Sequence, residues 1–439
     1  MKGLSFYYNP LDDCIMIKMD RFSRHLNNPF LRGSILFTVA TFLGSFLNYV
    51  FNLIVAKKLG PTGFGEITAL FSYTTIFSVP MAVITMVIIQ KIGSNNERGL
   101  AYALTLEQWF LTKIKKWWLL LIPFLFLTPV IQKFTNLSFY SSASIAPFIM
   151  LSFIGAYYAA LLQGLHLFGW ISTIGIIAVL LKLSGAFAIT DVSFGILIII
   201  IFLFLSTASA VASSFIALRQ ISQESQLIHS KLKRGVLSSL FQKQVIITFF
   251  SILGLTLLGN ADVVTAKKFL SAEQAGIYGS WSLFAKIILY LIGPLLTASY
   301  IFFSSLKNKK NHEKVLKLSL AILATIGIVS FLFYQYLSLP IVYLLFGSKF
   351  KSITPVLGLA SIFGTLYAST TLINNYFLSK KSSLSLMPIV VGVIYIPAMY
   401  FLGRSLQNII TINLLIGTLL LLLQIGCLVK YNTDNGKQT

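Results

Sequence analysis

The chain has 439 residues, of which 56% are hydrophobic and 10% charged, with a mean hydropathy of +0.83. A water-soluble fold carries about a quarter charged residues and could not hide 37 phenylalanines within such an apolar sequence. The 34 lysines and arginines against 12 acids, a formal +22, would suggest a nucleic-acid partner on a soluble chain. On a membrane chain they mark orientation and an anionic membrane face instead, so no nucleic acid is expected.

Residues 1–32 are polar, mixing Asp12, Asp13 and Asp20 with Lys18, Arg21, Arg24 and Arg32. They hold no apolar run of signal-peptide type, so a cytoplasmic tail without a cleaved leader is expected. Crossing a bilayer takes about 20 mostly apolar residues per helix. That criterion predicts a first group of spans at 33–56, 66–90, 117–132, 145–165, 169–190 and 193–217. A second group follows at 238–260, 276–303, 315–338, 353–378, 384–403 and 405–430. The third span is short, with Pro123 and Pro129 near its ends, and 339–346 reads as a continuation of the ninth or a re-entrant piece. Within 91–116, Leu100, Leu104, Leu111 and Ile114, then Trp118, recur at helical spacing beside Lys113, Lys115 and Lys116, which predicts an interfacial amphipathic helix. Residues 218–237 read as a basic cytoplasmic linker between lobes 33–217 and 238–430, and 431–439 as a C-terminal tail.

Lysine and arginine favour the N-terminal tail, the even-numbered loops and the C-terminal tail over the odd-numbered loops by about three to one. Both termini are therefore expected in the cytoplasm. Cys14 and Cys427 lie near opposite ends and predict no disulfide framework. His25, His166, His229 and His312 are scattered, and no Walker sequence occurs, so neither a metal centre, a cofactor nor nucleotide hydrolysis is expected.

An internal repeat runs through the chain. AKKLGPTGFGEITALFS begins at Ala56 and AKKFLSAEQAGIYGSWSLF at Ala266; matching Gly65 to Gly276 brings Lys57 onto Lys268. Each copy is a lysine pair, a turn and a helix opened by glycine, and the helix that follows carries a proline, Pro80 or Pro294. Six helices repeated in the same direction is a transporter layout, with the site between the halves near the midplane.

Charges inside apolar spans are costly and point to function. Lys286 in WSLFAKIILYL and Lys182 in AVLLKLSGAF are candidates to hold phosphate or an acidic sugar in a low-dielectric cavity. The alternative for each is snorkelling or bonding to a neighbouring helix. Asp262 is a candidate for proton or sodium coupling, for pairing with Lys286, or for a structural role beside Lys267 and Lys268. Glu66 opens its helix and reads as a structural partner of the helix dipole. Asn48 and Asn52 share a helix face. With Gln244, Asn260, Gln163 and Gln90 they are candidates for lining a sugar path or for joining helices. Tyr157, Tyr158 and Trp281 offer sugar-stacking faces, with packing as the default.

The segments FLGSFLNYVFNLIVAKKLGPTGFGEI and GNADVVTAKKFLSAEQAGIYGSWSLFAKII resemble those of bacterial polysaccharide flippases, within the multidrug/oligosaccharidyl-lipid/polysaccharide exporter superfamily. In that family an acidic residue commonly stands at the place of Asp262, ahead of a glycine–aromatic pair like Gly276 and Tyr278. The resemblance implies a MATE-like architecture, two six-helix lobes rocking about a central cavity. It implies a flippase moving polyprenyl-diphosphate-linked oligosaccharide to the outer leaflet of the bacterial cell membrane, working beside polysaccharide-assembly proteins. The rival readings are a cation-coupled multidrug exporter, which would want more intramembrane carboxylates, and a membrane polysaccharide polymerase, which would want a large outer loop.

Overall fold

The computed structural model describes residues 29–93, 99–117, 121–224, 242–304 and 309–436. Most of the expected N-terminal tail, most of the linker 218–237 and the end of the C-terminal tail lie outside these residues, as do Cys14, His25 and His229. Every regular element among the described residues is helical. Hydrocarbon offers backbone N–H and C=O groups no water, so each apolar stretch must satisfy them within itself.

Helix α1 (Pro29–Gly93) is two spans run together. The loop expected at 57–65 is replaced by a single residue, Gly60, with φ 66° and ψ −174°. A left-handed φ costs glycine nothing, and Pro61, lacking an N–H and preset for helix, starts the second arm at once.

The third span also differs from expectation. In place of 117–132, the chain forms α2 (Gly99–Trp117), α3 (Leu121–Phe126) and α4 (Thr128–Thr135). The amphipathic helix expected here forms, packing its apolar face on the protein and leaving Gln108, Thr112 and Lys113 exposed. Gly99 adjoins Leu165, while Leu106 and Glu107 meet Tyr157 and Tyr158, so α2 runs antiparallel to α5 (Phe139–Gly164). Glu107 is the physical reason. It interrupts the apolar face and is fully buried, with the Tyr158 hydroxyl donating to Oε1 at 3.2 Å and Arg219 reaching Oε2 at 3.2 Å. A buried carboxylate needs such partners, and a lipid surface has none. Phe110 stacks on Tyr157 beside it, with ring centroids 3.8 Å apart.

Helices α6 (Phe168–Phe187) and α7 (Val192–Glu224) complete the first half. The last runs past its predicted limit of 217, because Leu218 is buried too. In the second half, α8 (Lys243–Leu258) and α9 (Ala261–Phe269) form one span bent by 42° at Gly259–Asn260. Then come α10 (Ala272–Ser304), α11 (Lys309–Tyr336) and α12 (Ser338–Leu345). The stretch 339–346 is thus a separate short helix. A 3₁₀ turn, Ser348–Val356, leads into α13 (Leu357–Ser379), and a second, Ser383–Leu386, precedes α14 (Met387–Leu402) and α15 (Leu406–Gly436).

Among the described residues nine helices are long and apolar enough to cross a membrane, ten with the bent pair. The 65 residues of α1, broken at Gly60, are long enough for two crossings. Within the halves, α1 packs on α5 and α6, and α10 and α11 pack on α13; α1 also packs on α10 across the halves. Large apolar side chains such as Phe46, Ile328, Val393 and Phe401 are exposed on the outside. Water would not tolerate so continuous an apolar surface, whereas a bilayer matches it. This is an all-α, multi-pass membrane protein.

Candidate functional site

The two glycines matched by the internal repeat face each other across the halves. A Cβ on Gly65 would stand 2.7 Å from the Gly276 nitrogen, and one on Gly276 would overlap the Pro61 carbonyl. A Cβ on Gly279 would meet the Thr68 hydroxyl at 2.7 Å. Only hydrogen at these positions lets the second arm of α1 and the start of α10 come together backbone to backbone. Phe64 adds an edge-on aromatic contact with Phe346 and Phe350, centroids 5.9 and 6.0 Å away, all three buried.

A buried ion pair also joins the halves at this end. Lys267 of α9 meets Glu66 Oε2 at 2.6 Å, while Glu66 Oε1 accepts the Ser138 N–H at 2.6 Å. Beside it the Lys268 ammonium donates to the Lys133 carbonyl at 2.8 Å. Glu66 is therefore more than a helix-dipole partner, since it ties α1 to α9. The halves are closed at the Gly60 end.

Away from that end they part. A cavity of about 280 Å³ lies between them, lined from the first half by Asn52, Thr68, Phe71, Ser72 and Thr75. The second half contributes Asn260, Ser282, Lys286, Tyr290 and Tyr367. Lys286 is the one charged side chain among the described lining residues, and its ammonium donates to Asn260 Oδ1 at 3.3 Å. Asn260 sits at the bend of the seventh span and donates to the Thr256 carbonyl at 3.0 Å. An ammonium held by a neutral amide has no carboxylate partner to displace before it meets an anion, and the hydroxyls and amides around it suit a polar ligand.

Farther along, the halves enclose a second cavity of about 270 Å³. Here α1 contributes Val83, Met86, Val87 and Gln90, and α8 contributes Gln244 and Thr248, with Lys381 beyond the end of α13. From Thr75 to Val83 the α1 helix rises about 12 Å, so the two cavities stand one behind the other.

The candidate residues divide accordingly. Lys286, Asn52 and Asn260 share the first cavity; Gln244 and Gln90 share the second. Lys182 and Asn48 are brought to each other, ammonium to Oδ1 at 2.9 Å, with the ammonium between the faces of Phe51 and Phe71 at 4.3 and 4.4 Å. They sit behind Phe71, which itself lines the first cavity. Tyr157 and Trp281 are packed in the cores, the first donating to the Leu106 carbonyl and the second to that of Val356.

Asp262 is fully buried in the second half and does not pair with Lys286. Its Oδ2 accepts the Tyr278 hydroxyl at 2.5 Å and the Asn413 amide at 3.4 Å; Asn413 Oδ1 in turn accepts the Tyr395 hydroxyl at 2.7 Å. Oδ1 of Asp262, buried as well, has no hydrogen-bond partner among the described residues. A carboxylate with one oxygen held and the other open is a place for a proton or a small cation. It lies two residues from Asn260, so the bend of the seventh span links it to Lys286.

The sequence reading missed Lys267 as the partner of Glu66, and Tyr278, Tyr395 and Asn413 as partners of Asp262. Asn413, an amide inside the apolar run ITINLLIG, was the available signal.

No protein-family model and no curated protein matches the chain. Solved structures do. An inward-facing multidrug-resistance MATE family transporter of the MOP superfamily aligns with a TM-score of 0.67 at 12% identity, over 89% of this chain and 96% of that one. The lipid II flippase MurJ, in an inward closed conformation, aligns with a TM-score of 0.63 at 16% identity, over 90% and 87%. An outward-facing MATE transporter of that superfamily gives 0.59 at 13% identity, over 93% and 96%. The chain thus has a MATE-like fold, one shared with transporters and a flippase.

Proposed function

We propose that this protein is a flippase that moves a polyprenyl-diphosphate-linked oligosaccharide from the inner to the outer leaflet of the bacterial cell membrane, for surface polysaccharide assembly. The observation that carries this reading is the cavity between the halves, whose described lining has one charge, a lysine, among hydroxyls and amides. Such a cavity attracts an anionic, hydroxyl-rich headgroup and disfavours the cationic compounds typical of drug efflux. The likeness to the lipid II flippase supports handling of a lipid-linked substrate.

The bias of lysine and arginine toward the tails and even-numbered loops supports a cytoplasmic location for both termini and for the end opposite Gly60. The cavities then face the cytoplasm, and the contacts around Gly276 with the Glu66–Lys267 pair close the outer side. Headgroup phosphate meets Lys286 while the polyprenyl tail stays in lipid. The halves then rock, part at the Gly276 and Glu66–Lys267 contacts of the outer seal and expose the headgroup. Uptake or loss of a proton or sodium ion at Asp262, transmitted through the bend at Gly259–Asn260, returns the protein. The 33–217 and 238–430 lobes are the moving bodies in this account. In cells, Lys286→Ala should reduce surface polymer without reducing membrane abundance; wild-type polymer from that variant would sink the assignment.

A second reading, a cation-coupled multidrug exporter, is favoured by the Asp262 site and by the equally good likeness to MATE transporters. Drug resistance on expression, with no effect on surface polymer, would select it.

A further inference from the structure

Three non-glycine residues among those described have a left-handed backbone: Asn136, His166 and Lys381. Asparagine and histidine enter that region more readily than most residues; lysine has no such excuse. Lys381 closes α13 in a Schellman motif. Its own N–H bonds the Leu378 carbonyl at 3.0 Å, and the Ser382 N–H bonds that of Phe377 at 3.0 Å. Glycine is the usual occupant of this position, because any side chain there is strained. The neighbouring Lys380 is engaged elsewhere, with His312 and the face of Tyr376. Lys381 is exposed and is the one charged residue among the described lining of the second cavity, which it shares with Gln244 of its own half and Gln90 of the other. A strained lysine where glycine would serve the backbone better marks a side chain kept for its charge.

We propose that the second cavity is an entry station for a phosphate-bearing headgroup, with Lys381 as its charge and Gln90 and Gln244 as its neutral donors. An amphiphile would be captured here before passing about 12 Å along the interface to Lys286. The proposal rests on the flippase reading, and it adds a binding step with its own residues.

The test uses the full chain in phosphatidylcholine nanodiscs and equilibrium dialysis with radiolabelled inorganic diphosphate. Lys286→Gln removes the Lys286 station, so binding that persists in it reports the entry station. Adding Lys381→Gly should weaken that binding about tenfold, the loss of one charge-assisted contact. The same change should hold or raise the thermal midpoint, since glycine relieves the backbone. Lys381→Arg should retain binding. Farnesyl diphosphate should displace the label, and phosphatidylglycerol built into the disc should not. Displacement by phosphatidylglycerol would assign the station to bilayer lipid and overturn the proposal. Equal binding with and without Lys381→Gly would also overturn it. If the wild type binds diphosphate and Lys286→Gln does not, the entry station fails while the flippase reading stands. If the wild type binds none, both fail.

Discussion

Replacing Lys267 with methionine should open the outer side. In the closed state Lys267 and Glu66 are each less than a tenth exposed and 2.6 Å apart. Methionine matches the length of the lysine stem but leaves the Glu66 carboxylate with one remaining donor, the Ser138 N–H. Breaking one side of a buried pair costs about 3–5 kcal/mol. The remaining donor sets the expectation near the lower figure, and the open state, where Glu66 meets water, bears almost none of it. The closed-to-open ratio should therefore fall by roughly a hundredfold. The assay is the modification rate of a cysteine placed at Thr75, within the first cavity, by a membrane-impermeant thiol reagent added outside the cell. Cys14 and Cys427 would be changed to alanine beforehand. Lys267→Met should speed modification at least tenfold. The swap Glu66→Lys with Lys267→Glu should restore part of the protection, because it rebuilds the pair but loses the Ser138 contact. A rate unchanged by Lys267→Met would show that the pair does not hold the seal.

Asp262→Asn keeps the shape of the Tyr278–Asn413 network and removes its charge; transport should lose its response to an imposed proton or sodium gradient, measured in vesicles. Retention of the wild-type response would remove Asp262 from coupling. Gly276→Ala places a methyl group against the Pro61 carbonyl and should destabilise the protein by about 1–3 kcal/mol, the range for overpacking, read as a lower thermal midpoint in detergent. Lys182→Met loses the Asn48 bond and two aromatic faces, a cost of about 1–2 kcal/mol. It should lower that midpoint while reducing transport less than Lys286→Ala does.

Much of the fold was legible because its signals are local. Apolar runs gave most of the spans, and the Gly65–Gly276 match identified two positions that prove to touch. Lys286, Asn260 and Asp262 stood out because polar groups inside apolar helices are expensive. What escaped was set by partners. The amphipathic face of α2 says that one side is apolar, and cannot say whether lipid or α5 covers it; Glu107 decided the matter through Tyr158 and Arg219, which are remote in sequence. Glu66 looked like an ordinary first-turn acid until Lys267 of the other half was beside it. The turn at Gly60 was read as a loop because nine residues of mixed character surround a reversal made by one. Tyr278 stood out only for following Gly276 and Tyr395 not at all, since tyrosine is as common in packing as in polar networks.

The central claim is that Lys286 holds the headgroup of a lipid-linked glycan while the halves change sides. Its most direct test is the movement of a fluorescent polyprenyl-diphosphate oligosaccharide between leaflets of reconstituted vesicles. The wild type should move it, Lys286→Arg should retain most of the rate, and Lys286→Gln should lower it at least tenfold, as expected for one charge-assisted contact. A wild-type rate from Lys286→Gln, or transport of a cationic dye with none of the lipid, would contradict the account.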